Sequence, residues 1–108
     1  HQFLDQHDAS GSNNHGRIEL ITDLERVNLV AHYVLECITE NLDAKVEFLS
    51  RLKPAADRGA TLLSCTSGLS IHEMGTRSHT ASRLVGAHFW NPPHLMPLVE
   101  VISAEQTT

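Results

Sequence analysis

The sequence contains no apolar run approaching the roughly 18 residues that a membrane-spanning helix requires. No signal-peptide pattern is visible either. Lysine and arginine number 8 against 13 acidic residues, for a formal net charge of −5. Without a basic cluster there is no footprint for nucleic acid. Cysteine is scarce: Cys37 and Cys65 are the only two. Two do not make a disulfide framework, so free thiols in a reducing, cytoplasmic compartment are expected. Both fall in or at the end of strands expected to be buried, where thiols are usually inert. Histidine is plentiful, with eight residues. No H-x-x-x-H or C-x-x-C spacing occurs, however, so no metal site is expected. There is no G-x-G-x-x-G, no internal repeat and no low-complexity tract.

What is present is 108 residues of alternating apolar segments, enough for one domain with a modest core. The chain opens at His1 without a methionine and stops at Thr108 just after a strand. That pattern is expected of a piece of a longer polypeptide. Residues 1–15 are polar and without sustained period, and read as loop or disorder. Residues 16–108 form the folded part.

From Gly16 the pattern changes. Ile18 and Leu20 suggest a short strand. Thr22 and Glu25 are spaced as a capping box, which predicts a helix running toward Ala31. Tyr33 to Ile38 is an almost unbroken apolar run, expected to be a strand buried on both faces. Within it Glu36 is unusual, because an unpaired buried carboxylate is costly, and it is expected to bond a backbone or ligand group. Asn41 can cap a helix whose buried face is Leu42, Val46 and Leu49, ended by Pro54 and Gly59. Ala60 to Cys65 is another buried strand. Ser70 and Glu73 form a second capping box and open a short helix. Leu84–Trp90 and Met96–Ile102 are the last strands. The order β-α-β-α-β-α-β-β implies a parallel sheet with right-handed crossovers and an antiparallel edge.

The last two strands carry the chemistry. A Pro-rich bend of about half a dozen residues is too short for a parallel crossover, so they run antiparallel. With the bend centred on His94, His88 and Glu100 fall opposite each other on one face. A His–carboxylate pair fixes the imidazole tautomer and suits general base work. Ligands in open α/β sheets bind at the carboxyl ends of the strands. Those ends bring Glu40, Ser67, His88 and Asn91 to one rim, where Ser67 and Asn91 can hydrogen-bond a substrate oxygen or a cofactor amide.

Three motifs in these regions resemble a known family. They are Val34-Leu35-Glu36-Cys37-Ile38 leading into Glu40-Asn41-Leu42-Asp43-Ala44-Lys45, then Ser64-Cys65-Thr66-Ser67-Gly68-Leu69-Ser70-Ile71, then Gly86-Ala87-His88-Phe89-Trp90-Asn91-Pro92 followed by Met96-Pro97-Leu98-Val99-Glu100-Val101. From about Gly16 to Ser103 the chain resembles the second half of the NAD-binding domain of L-3-hydroxyacyl-CoA dehydrogenases. The resemblance implies part of a Rossmann-like doubly wound sheet whose first, Gly-rich βαβ unit is absent. It implies NAD as cofactor, an acyl-CoA or another 3-hydroxy acid as substrate, and a homo-oligomer.

Roles follow by the same resemblance. His88 takes the proton of the 3-hydroxyl and Glu100 orients it. Ser67 bonds the reacting oxygen, and Asn91 places substrate and nicotinamide. Glu40 and Lys45 match positions near the cofactor ribose and nicotinamide. Cys65 departs from the family, which usually has Asn there. Without the Gly-rich turn, the pyrophosphate lacks a helix N-terminus, so NAD binding by this chain alone is expected to be weak or absent.

Each residue also has a plainer reading. His88 alone reads as a core histidine, and Glu100 as an edge-strand charge that blocks aggregation. Ser67 and Asn91 read as turn residues. Lys45 reads as a solvated helix position and Glu40 as a helix-start charge. A different class of function is also consistent with the chain: a non-catalytic, self-associating module derived from a truncated dehydrogenase.

Overall fold

The computed structural model describes residues 18–108. The expectation for residues 1–15 therefore lies outside the described residues. The elements are α1 (Leu24–Val30), β1 (Tyr33–Glu36), α2 (Leu42–Arg51), α3 (Lys53–Asp57), β2 (Thr61–Ser64), α4 (Ile71–Ser78), a single 3₁₀ turn (Ala81–Arg83), β3 (Leu84–Phe89) and β4 (Val99–Ser103). The four strands lie in one sheet in the order β1-β2-β3-β4. The first three are parallel and β4 is antiparallel to β3. This is the α/β sheet with an antiparallel edge that the alternation of elements implied.

Local chemistry sets the helix ends. The Asn41 side chain accepts from Ala44 N–H at 3.0 Å, and Ser70 accepts from Glu73 N–H at 3.2 Å. Each satisfies a backbone donor that has no partner inside its helix. Pro54 does more than stop α2. It sits in the first turn of α3, where its missing N–H costs nothing. Gly59, at φ 98°, then turns the chain into β2 with a backbone that L side chains rarely adopt.

The core lies between the helices and one face of the sheet. Leu49 and Leu52 from the α2–α3 region meet Ile71 and Met74 of α4 over Leu62 and Leu84 of the strands. Leu62 and Leu84 are Cα partners, so alternation places them on the same face. At Gly86 a Cβ would come within 3.1 Å of both Ile71 and Ile102, so glycine lets α4 pack closely on β3.

Three expectations need correcting. Ile18–Ile21 form no strand, and Leu20 is 94% exposed. A strand needs a ladder partner, and the described residues offer none to this segment. The cap of α1 is Asp23, not Thr22: the Asp23 carboxylate accepts from Glu25 N–H at 3.0 Å. Finally, β1 is buried on one face only. Val34 and Glu36 point toward the helices, while Tyr33 is 73% exposed and Leu35 is also exposed. Among the described residues the helices cover a single face, and β1 is an edge strand, so its apolar run is half wet.

Candidate functional site

The site forms at the carboxyl ends of the parallel strands. There a cleft of about 450 Å³ is lined by Leu35, Cys37, Cys65, Ser67, His88, Phe89, Asn91 and Pro93. Of the residues expected to converge, Ser67, His88 and Asn91 share this cleft. Glu40 and Lys45 do not line it. They sit behind it and hold its wall.

His88 and Glu100 are Cα partners across β3 and β4. His88 Nδ1 lies 2.9 Å from Glu100 Oε2, with His88 about one-third exposed. An ionised carboxylate only accepts, so the shared proton belongs to Nδ1. In the neutral ring, Nε2 is then the acceptor. The bend that returns the chain is held by Trp90 N–H donating to Leu98 O at 3.2 Å, and by Leu95 and Met96 N–H groups donating to Pro92 O at 3.0 Å. The Asn91–Pro92 peptide in this bend is cis.

Glu40 ties two loops together. Its Oε1 accepts from the Thr66 hydroxyl, from Ser67 N–H at 3.0 Å and from Gly68 N–H at 3.3 Å. The Thr66 hydrogen bond is the main reason its carboxyl is held below the ordinary range. Partial burial opposes this, while the two backbone donors and Lys45 add to it. Ser67 is thus fixed through its backbone, which leaves its hydroxyl exposed on the cleft.

Below the rim lies a buried polar cluster. Lys45 Nζ donates to Glu36 Oε1 at 2.6 Å and to Ile38 O at 3.2 Å, and stands 3.5 Å from Glu40 Oε2. Ser64 Oγ donates to Glu36 Oε2 at 2.5 Å, and Ile38 N–H donates to Oε1 at 2.7 Å. The expected backbone partner of Glu36 is the Ile38 N–H, but the carboxylate also pairs with a lysine that was not expected there, so Lys45 is not a solvated helix position. Sequence reasoning missed this pairing and the part played by Thr66. The sequence offered one signal, a carboxylate in a buried strand at Glu36; which helix side chain it meets is set by the crossover.

Cys37 and Cys65 also differ from expectation. Cys37 is exposed and Cys65 half-buried, because they sit on the uncovered face of the sheet, not in its core. Among the described residues, no group of three or more potential ligands could hold a metal, and no helix is long and apolar enough to cross a membrane.

A parallel sheet with a cleft at its strand ends, and a His–carboxylate pair on the rim, is the arrangement of a Rossmann-like domain. Residues 4–108 match the model of the 3-hydroxyacyl-CoA dehydrogenase, NAD binding domain. The chain belongs to this family, and the matched part is the family's NAD-binding domain. It is 41% identical to L-carnitine dehydrogenase of Streptomyces coelicolor over 91 residues, 84% of this chain. It spans only 29% of that protein's length. It is 33% identical to a peroxisomal fatty acid beta-oxidation multifunctional protein of Arabidopsis thaliana over 69% of this chain and 10% of that protein. Among solved structures, (S)-3-hydroxybutyryl-CoA dehydrogenase from Ralstonia eutropha superposes with a TM-score of 0.77 at 33% identity. That match covers 86% of this chain and 32% of the other.

Leu35 and Phe89 give the cleft apolar wall, and Ser67 and Asn91 give it polar groups. The space beside Gly68 is open, with no heavy atom within 4 Å of where a Cβ would stand. The sequence contains no Gly-rich turn for the pyrophosphate.

Proposed function

We propose that this chain is the catalytic-rim half of an NAD-dependent dehydrogenase that interconverts a 3-hydroxyacyl and a 3-ketoacyl thioester, residues 16–108 being the C-terminal half of the NAD-binding domain. The observation that carries the reading is the His88–Glu100 pair on the cleft, with Nδ1 committed to the carboxylate and Nε2 left as acceptor. In oxidation, His88 Nε2 takes the proton of the substrate 3-hydroxyl. NAD, when bound, supplies the hydride acceptor. In reduction, His88 returns the proton to the 3-keto oxygen. Glu100 orients the ring and stabilises the imidazolium that forms. Ser67 Oγ hydrogen-bonds the reacting oxygen, and Asn91 positions substrate against the nicotinamide. Glu40 and Lys45 support the cofactor side from behind the cleft wall.

The substrate class includes other 3-hydroxy acids. Similarity to a protein named L-carnitine dehydrogenase makes carnitine, itself a 3-hydroxy acid, a candidate alongside the acyl-CoA thioesters. The deciding assay is NADH formation from 3-hydroxybutyryl-CoA and from L-carnitine. It should use a polypeptide that carries these residues together with a Gly-rich phosphate turn. Turnover that His88→Ala leaves unchanged would overturn the assignment.

The bare sheet face supports a second reading. Tyr33 and Val101 are each 73% exposed, and Leu35, Phe89 and Val99 lie on the same face by alternation. An apolar face of this kind suits self-association of a non-catalytic module. A monodisperse monomer in light scattering would count against it.

A further inference from the structure

The two cysteines stand together, and the chemistry above leaves them without a task. Cys37 Sγ lies 3.3 Å from Cys65 Sγ. Cys37 follows the last residue of β1 and Cys65 the last residue of β2. Those last residues, Glu36 and Ser64, are Cα partners, and Cys65 N–H donates to Glu36 O at 2.9 Å. The cysteines therefore continue the parallel ladder by one step. Neighbouring strands lie about 4.8 Å apart, within the Cα spacing of about 4.4–6.8 Å that a disulfide spans. Both cysteines line the cleft shared with Ser67 and His88.

We propose that Cys37 and Cys65 form a reversible dithiol–disulfide switch in the wall of this cleft, oxidised by hydroperoxide. Cys37 is the exposed partner and meets the oxidant first. Burial, and then the hydrogen bond with Cys37, push the Cys65 thiol up to about 11. Cys65 therefore stays protonated until it reacts. Cys37 Sγ attacks one oxygen of hydrogen peroxide and gives up its thiol proton; the O–O bond breaks, the other oxygen leaves with that proton as water, and Cys37 becomes a sulfenic acid. The Cys65 sulfur then attacks Cys37 Sγ and gives up its proton. The S–O bond breaks, and the oxygen departs as a second water. Two thiols are oxidised by two electrons and one hydroperoxide is reduced. A dithiol reductant reverses the change.

Closing the bond draws the two sulfurs from 3.3 Å to about 2.05 Å. This reshapes the wall beside His88 and removes both thiol hydrogens from it. That consequence rests on the dehydrogenase reading, whereas the disulfide itself does not.

The test counts thiols. The full chain is treated with one equivalent of hydrogen peroxide, native and in urea, then alkylated with a maleimide and weighed intact. The native chain should lose both thiols and two hydrogens of mass, with Cys37 linked to Cys65 in the peptide map and thiols restored by dithiothreitol. In urea, where the β1–β2 register no longer holds the two thiols together, cross-links between chains should compete with the Cys37–Cys65 bond. Cys65→Ser should halt at a sulfenic acid on Cys37 that dimedone captures, and Cys37→Ser should keep its remaining thiol. Native thiols that persist, or that cross-link only between chains, overturn the proposal. A normal thiol response in a protein whose turnover ignores His88→Ala would sink the dehydrogenase reading and leave the switch standing.

Discussion

Lys45 reaches from the first turn of α2 to Glu36 at the end of β1, with Nζ 2.6 Å from Oε1 and both side chains only 1% exposed. Ser64 and the Ile38 N–H complete the carboxylate's partners. The pair thereby locks the helix to the strand end from which the rim departs. Removing one member leaves the other charged and buried, which costs about 3–5 kcal/mol. Lys45→Met should lower stability by that order in urea unfolding. Pairing it with Glu36→Gln should recover part of the loss, because the orphaned charge is gone. Additive losses in the double variant would argue against a coupled pair.

Glu40 gives the acid side of the stability curve a specific shape. Its carboxyl is held below the ordinary 4.5, chiefly by the Thr66 hydroxyl. As pH falls, the unfolded chain takes up that proton before the folded one does. The stabilisation is therefore complete above about 4.5 and is lost as pH drops through the lower folded value. Glu40→Gln should flatten the fall in urea midpoint across that window and leave the slope near neutrality unchanged. Equal slopes below pH 4.5 would show that the Thr66 contact does not persist in solution.

Much of this was legible in the residues, for identifiable reasons. Period and capping located α2 and α4, because Asn41 and Ser70 stand where helix N–H groups need acceptors. The length of the Pro-rich bend paired His88 with Glu100, because antiparallel register follows from turn length. The apolar run from Tyr33 to Ile38 misled, since it resembles the interior strand of a doubly wound sheet. Period alone cannot tell whether a second helix layer is present to cover it. Lys45 misled for the opposite reason. A lysine on a helix reads as solvated until the strand carboxylate it meets is known, and that meeting is set by crossover geometry, not by spacing. The thiol pair was hidden in the same way, because only the β1–β2 register brings Cys37 and Cys65 together.

Gly75 marks a tight contact between α4 and the turn that follows it. A Cβ there would fall 2.8 Å from Ala81 Cα and 3.2 Å from Ala81 Cβ. Backbone cannot retreat as a flexible side chain does, and overpacking costs typically about 1–3 kcal/mol. Gly75→Ala should lower the thermal midpoint despite alanine's better helix propensity. A rise in midpoint would mean that the turn moves freely from the helix.

NAD binding by the 108 residues alone should be weak. The cleft offers contacts for a nicotinamide, yet the sequence contains no Gly-rich turn that opens a helix N-terminus to the pyrophosphate. Isothermal titration should show no saturable binding at micromolar NAD. A clear micromolar affinity would require a phosphate site built from other residues.

The His88–Glu100 pair makes the most direct statement about turnover. A positioned general base contributes roughly 10²–10⁴-fold, so His88→Ala should reduce kcat by that order, with a smaller effect on cofactor affinity. Glu100→Gln retains an acceptor oxygen for Nδ1 but not the charge that stabilises the imidazolium. It should lower kcat less than His88→Ala does. The double variant should be no worse than His88→Ala alone, since Glu100 acts only through the ring. A double variant slower than His88→Ala by the full Glu100→Gln factor would mean that Glu100 touches the reaction independently. In that case the carboxylate would have to be considered as a base in its own right.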